Sequence, residues 1–430
     1  MKSLLSPWIQ RRQYLLVLLV STVFACITVL PGQSQNPSET AHAASSFIDS
    51  LGVVVHLNRS NSAYRNYDSI IKPRLQELGV RHIRDGVRLD DRETQQKFVD
   101  LATVGIKSTL VMDPRDQQDA SVAVDIVKAI PTAVEAVEGP NEWDVWPDLS
   151  YKGQPFPQGV RLFQSELFNA VKQDPATARL DVLSPTVALW HNATSLGEVV
   201  CDYGAMHSYP GGQPPTAGLD WHWIPSTRQI CPDKPLIATE TGWHNAVAAE
   251  SGQPGISEAA AGKYVPRLWL EYFNRDIQRV YINEFIDKWQ TADKEGNFGI
   301  LRQNGTPKPA FTALKNLIAL LRDGEGAFSP GALSYTMVGA TTNVHHTLLQ
   351  KRDGRFYLIL WQEVPSFDVS NKRDISVPTQ AVTVRLTTAI RSASLYQPLR
   401  STDATARYNN PRSLVLNVAD EPLVVELAPA

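Results

Sequence analysis

Glu142 follows the strand-length apolar run Thr132-Ala133-Val134-Glu135-Ala136-Val137 and the turn Glu138-Gly139-Pro140-Asn141, with Trp143 and Asp144 directly after it. Glu240 closes a second run, Pro235-Leu236-Ile237-Ala238-Thr239, and is followed by Thr241-Gly242-Trp243-His244. A carboxylate beside an amide and an indole at the mouth of a buried strand fills a core poorly, because a buried charge needs a partner. Two such strand ends on one face of a parallel barrel would hold two carboxyls across a gap. That suits glycosidic bond cleavage, in which one carboxyl protonates the leaving oxygen while the other attacks the anomeric carbon or activates water. Asn283-Glu284 repeats the Asn-Glu pair of Asn141-Glu142. It lies inside an apolar run from Arg279 to Ile286, so Glu284 reads as a barrel or rim residue.

The elements that would position these groups alternate strand-like runs with helix-length segments, which predicts a mainly parallel sheet. The strands are expected at 51–57, 80–85, 108–112, 132–137, 182–187, 205–210, 236–240 and 279–286. Helices are expected at 64–78, 91–104, 120–129, 160–172 and 306–321, and the stretch 211–233 reads as an irregular loop. This order fits a (β/α)8 barrel, whose site is built at the C-terminal ends of the strands. From residue 333 the runs become short and alternating, with turns such as Asp353-Gly354 and Asn409-Asn410-Pro411 between them. They predict a C-terminal antiparallel β-sandwich.

Asn141-Glu142 ending a fourth strand and Glu240 ending a seventh resemble the clan A retaining glycoside hydrolases, (β/α)8 barrels such as the family 5 cellulases and mannanases and the family 39 xylosidases. The resemblance spans roughly residues 50 to 323. It implies Glu142 as acid/base and Glu240 as nucleophile, against the alternative of two structural glutamates paired to arginines. It implies that Asn141 bonds the sugar 2-hydroxyl; otherwise it ends the strand in an Asx turn. Arg84 ends the second strand, where the family commonly has an arginine near the nucleophile; a salt bridge at the barrel rim is the other reading. His207 and Tyr209, two apart on the sixth strand, point to one face. The family often sets such groups against nucleophile or substrate, though either residue could simply satisfy barrel polar groups.

Trp143, Trp146, Trp190, Trp243 and Trp289 fall at or just past strand ends, and Trp221 and Trp223 lie in the loop after the sixth strand. Indoles stack on the C–H faces of sugars. Trp143, Trp243 and Trp289 are therefore candidate substrate contacts, with two or three of the seven expected in the core. The chain has no zinc spacing, phosphate loop or Gly-x-Ser-x-Gly elbow, so no metal or cofactor is expected.

The formal net charge is −3, with both signs interspersed, which gives no footprint for nucleic acid. Arg11-Arg12, the apolar run Tyr14 to Leu30 and Ala41-His42-Ala43 read as a signal peptide cleaved near Ala43, or as a retained membrane anchor. The expected product is a secreted or periplasmic monomer with residues 44–323 as barrel and 324–430 as sandwich. Cys201 and Cys231 remain after cleavage. They lie at equal offsets before the sixth and seventh strands, which predicts a disulfide; two buried thiols are the alternative. The expectation is an exported retaining β-glycoside hydrolase. Its alternatives are an exo-acting or transglycosylating enzyme on small glycosides, or a carbohydrate-binding barrel that lost its chemistry.

Overall fold

A computed structural model describes residues 38–430 apart from 117–118, 250–251 and 325. Eight parallel strands form the barrel: Leu51–Val54, His82–Gly86, Lys107–Val111, Val134–Glu138, Asp181–Leu183, Gly204–His207, Leu236–Thr241 and Ile277–Ile282. They are numbered one to eight in that order below. Seven neighbouring pairs form ladders, and a parallel bridge between Leu183 and Tyr203 joins the fifth strand to the segment leading into the sixth. Inside the ring, Val54, Ala136, Leu183, Ala205, Ile237 and Tyr281 pack as a separate apolar layer. Residues following these strands therefore gather above that layer at one mouth, as the alternation of strands and helices requires.

The strands are shorter than the apolar runs suggest. The sixth stops at His207, which is in register with Glu240 of the seventh. The eighth stops at Ile282, so Asn283-Glu284 follow its end instead of lying inside it. The stretch 211–233 is not wholly irregular, since Ile224–Ile230 is helical. Alternation alone also leaves the long helix Glu258–Phe273 unassigned. Most of its residues are buried, so its sequence carries no polar face to mark it.

Two sheets follow the barrel. One orders Ser38–Thr40, Ala332–Gly339, Gln380–Leu386 and Ser413–Val418. The other orders His42–Ala43, Val344–Gln350, Phe356–Gln362, Leu423–Pro429, Ile390–Tyr396 and Ala404–Asn409. Their alternating inward residues, among them Leu333, Leu358, Val384, Leu416 and Val425, form the sandwich core. The boundary expected at Ala43 needs correction, because Ser38–Thr40 pairs with Ala332–Ser334 and His42–Ala43 with Leu349–Gln350. A cut after Ala43 would strip a strand from each sheet. The expected leader features at 11–30 lie outside the described residues. Among those described, no helix is long and apolar enough to cross a membrane.

The helix Glu258–Phe273 joins the layers. Arg267, fully buried, donates to Glu363 Oε2 from Nε at 2.9 Å and from Nη2 at 2.6 Å. Glu271 accepts from the Trp361 indole at 2.8 Å. Leu349, Tyr357, Ile359, Trp361 and Val424 of the sandwich belong to the same apolar core as the barrel helices. The described residues from 38 to 430 belong to one compact unit.

Candidate active site

Glu142 sits beyond the fourth strand with φ 54° and ψ 43°. A non-glycine residue in this left-handed region is strained by about 1–3 kcal/mol and persists where its surroundings hold it. Its N–H donates to Thr186 O at 3.2 Å. The preceding Asn141 N–H donates to Asp113 Oδ2 at 2.9 Å, and Arg115 Nη2 donates to the Asn141 carbonyl at 2.8 Å. The backbone is thus gripped at the candidate acid and at the residue before it.

Arg84, on the second strand, organises the floor. Its Nε donates to Glu138 Oε2 at 2.5 Å, Nη1 to Glu240 Oε1 at 2.5 Å and Nη2 to Asn141 Oδ1 at 2.8 Å. One guanidinium therefore spans the second, fourth and seventh strands. Glu138 is fully buried and also accepts from Thr239 Oγ1 at 2.8 Å. With Asn141 Oδ1 committed to Arg84, the Asn141 amide keeps its NH2 as a donor.

Glu240 receives Tyr209 Oη on Oε2 at 2.6 Å. Burial pushes its pKa up, but the charges of His207 and Arg84 and the bonds from Tyr209 and Arg84 outweigh burial and hold it at about 2. His207 Nδ1 lies 2.7 Å from Glu142 Oε1 and 3.8 Å from Glu240 Oε2. Burial pushes the imidazole pKa down, yet the charges of Glu240 and Glu142 lift it to about 10. Arg84 Nη2 stands 3.3 Å from His207 Nε2, an approach that suits a neutral Nε2, so geometry and charge pull in opposite directions there. The 2.7 Å contact at Nδ1 needs one proton in either case.

One donor atom each from Glu142, His207 and Glu240 lies within 4.8 Å of the others. By number they could ligate a divalent cation. The Arg84 guanidinium already bonded to Glu240 opposes a second cation, so the set fits proton chemistry better. A polar cavity of about 370 Å³ opens beside Glu240, lined by His56, Arg59, Asp85, Arg115, Asp116 and Asn141 among others.

Two of the three candidate tryptophans need correction. Trp143 is 2 % exposed, with its indole N–H given to the Asp113 carboxylate at 3.1 Å, and Trp243 is 4 % exposed, with its N–H given to Gln213 O at 3.1 Å. Both are packing residues of the mouth's walls. Trp289 is half-buried, with Arg59 and Lys288 over its ring at 5.9 and 5.5 Å. Glu284 is fully buried, taking Tyr64 Oη at 3.3 Å and facing His56 Nε2 at 3.2 Å and Lys288 Nζ at 3.4 Å. Asp113 was missed by sequence reasoning. Its position just past the third strand was the available signal. Cys201 and Cys231 are bridged, with Cα atoms 6.2 Å apart.

These features define a (β/α)8 barrel with a β-sandwich and an acid-rich mouth. Among solved structures, a family 39 glycoside hydrolase from the gut symbiont Bacteroides cellulosilyticus WH2 is similar, with TM-score 0.58 and 16 % identity over 89 % of this chain and 82 % of that one. A glucosidase from Croceicoccus marinus is similar with TM-score 0.57 and 12 % identity over 91 % and 97 % of the two chains. At such identities the likeness is one of fold. No protein-family model and no curated protein matches the chain by sequence.

Proposed function

We propose that this chain is a retaining β-glycoside hydrolase with Glu240 as nucleophile and Glu142 as acid/base. The observation that carries the reading is the approach of the two carboxylates. An oxygen of each lies within 4.8 Å of the other. That accords with the carboxyl separation of about 5–5.5 Å used for double displacement, against about 6.5–9.5 Å when a water must fit between.

In the first step Glu240, ionised by its neighbours, attacks the anomeric carbon as the glycosidic C–O bond breaks. The proton needed by the leaving oxygen comes from Glu142, whose Oε1 lies 2.7 Å from His207 Nδ1. Attack converts the Glu240 carboxylate to an ester. The negative charge next to His207 disappears, and Glu142 is left as a base. In the second step it takes a proton from water as that water displaces Glu240. The Asn141 NH2 is the donor for a sugar hydroxyl near the reacting carbon. An exported protein is the expectation from the leader, and cleavage before Ser38 would keep both N-terminal strands in their sheets.

A panel of aryl β-glycosides with β-glucan, mannan and xylan tests the activity. Glu142→Gln should lose natural substrates but still cleave aryl glycosides whose leaving group needs no proton, with azide restoring turnover as a β-glycosyl azide. Glu240→Gln should be inactive on both. Full activity of Glu240→Gln on any substrate of the panel would refute the assignment.

A further inference from the structure

An exposed aromatic ledge begins two residues beyond Asp144, within the turn that carries Glu142. Trp146 is 53 % exposed, Trp190 38 % and Trp221 68 %, although indoles are usually well covered. They belong to the loops after the fourth, fifth and sixth barrel strands, which are successive around the ring. The loops are bound together. Asp144 accepts from Ala188 N at 2.8 Å, from Leu189 N at 3.0 Å and from Asn192 Nδ2 at 2.9 Å. The Trp190 ring stacks on His222 at 4.2 Å and 20°, and Trp221 adjoins the same imidazole at 6.3 Å. Trp190, stacked in this way, is held in place, and a ring so held loses little freedom when a ligand covers it.

The position of the ledge identifies its occupant. The polar cavity beside Glu240 lies over the first three strands and holds the residues that would meet the sugar under attack. The leaving oxygen must face Glu142, so whatever is attached to it extends away from that cavity, toward the loops after the fourth strand. We infer that Trp146, Trp190 and Trp221 bind the leaving-group side of a β-linked oligosaccharide, so that the substrate is a chain of several sugars. This rests on the hydrolase reading. The Trp190 ring, covered on one face by His222 and followed by the polar His191 and Asn192, presents its other face in the way that matches a sugar with C–H faces and hydroxyl edges.

The test uses the full chain carrying Glu240→Gln, so that ligands bind without turnover. Cello-, laminari-, manno- and xylo-oligosaccharides of two to six sugars are titrated calorimetrically. Affinity for one series should rise with length. Trp146→Ala, Trp190→Ala and Trp221→Ala should each weaken the longest ligand about 2- to 10-fold, and the triple variant about 100-fold, consistent with the worth of one aromatic contact. Trp221→Ala, at the most exposed position, keeps the test open should the triple variant fold poorly. In the active chain, the same substitutions should shift the cleaved bond toward the leaving-group end. Affinities unchanged in all variants, or no oligosaccharide binding at all, would overturn the inference. So would binding of the same chain to phosphatidylglycerol vesicles that the three substitutions weaken while leaving oligosaccharide affinities unchanged. Oligosaccharide binding through the ledge without cleavage by the active chain would instead leave this inference standing and remove the hydrolase reading.

Discussion

At the scale of single residues, the reading depends on how Glu240 is kept ionised. Tyr209→Phe removes one charge-assisted hydrogen bond while keeping the ring. The acidic limb of kcat/KM should move to higher pH, with kcat/KM falling about 10- to 100-fold. An unmoved limb in a folded protein would leave Tyr209 as wall packing. Arg84→Ala should act differently, because it strands Glu138, which is fully buried. Stability should fall by about 3–5 kcal/mol, so a loss of Tm precedes any kinetic reading. His207 gives a pH signature. Its raised pKa contributes stability that is fully present below the unfolded value of about 6.5. That contribution is lost as pH rises through about 10. The Tm gap between wild type and His207→Gln should therefore be widest below about pH 6.5 and shrink toward about pH 10. A gap that widens with pH would mean the imidazole is held neutral. The carboxylates were legible in the sequence because each follows its own apolar run. Trp143 and Trp243 misled because their burial depends on Asp113 and the Gln213 carbonyl, some thirty residues away in each case.

At the scale of elements, the strand-end motifs are only as good as the strand ends. Asn283-Glu284 reads as strand interior because Phe285 and Ile286 extend the apolar run, yet those two residues are buried as part of the closing turn. Glu284 is then held by Lys288, four residues on, and by Tyr64, a group that local sequence does not associate with it. Glu284→Gln should lower stability by about 1–2 kcal/mol, less than a wholly stranded charge would cost, because Lys288 keeps Glu295 at 3.7 Å. Hydrolysis at a permissive temperature should persist, and its abolition there would move the acid role to Glu284. The Cys201–Cys231 bridge closes a sequence separation of 30 residues. In the chain-entropy view, a loop of that size is worth about 3–4 kcal/mol. The double serine variant should lose about that much in denaturant unfolding, with unchanged kcat. Equal stability would mean the bridge does not form in solution.

At the scale of the molecule, barrel and sandwich were both legible, since strand–helix alternation and short alternating runs are periodic signals. Their union was not. It rests on the helix Glu258–Phe273, whose residues are mostly buried and so show no face, and on strands at 38–43 that pair with segments some three hundred residues away. With a shared core and the Arg267–Glu363 pair at the junction, calorimetry should show a single unfolding transition for residues 38–430. A truncation starting at Ala44 should unfold at lower temperature than one starting at Ser38.

The central claim is that Glu240 forms a bond to the sugar while Glu142 supplies the proton. It is tested most directly by incubating the protein with a 2,4-dinitrophenyl 2-deoxy-2-fluoro-β-glycoside of whichever sugar it hydrolyses, then sequencing the labelled peptide by mass spectrometry. Fluorine at C2 slows release of the intermediate, so one fluoroglycosyl group should remain attached to Glu240 and should be absent from Glu240→Gln. A label on another carboxylate, or no label together with a first-formed sugar of inverted configuration, would contradict it.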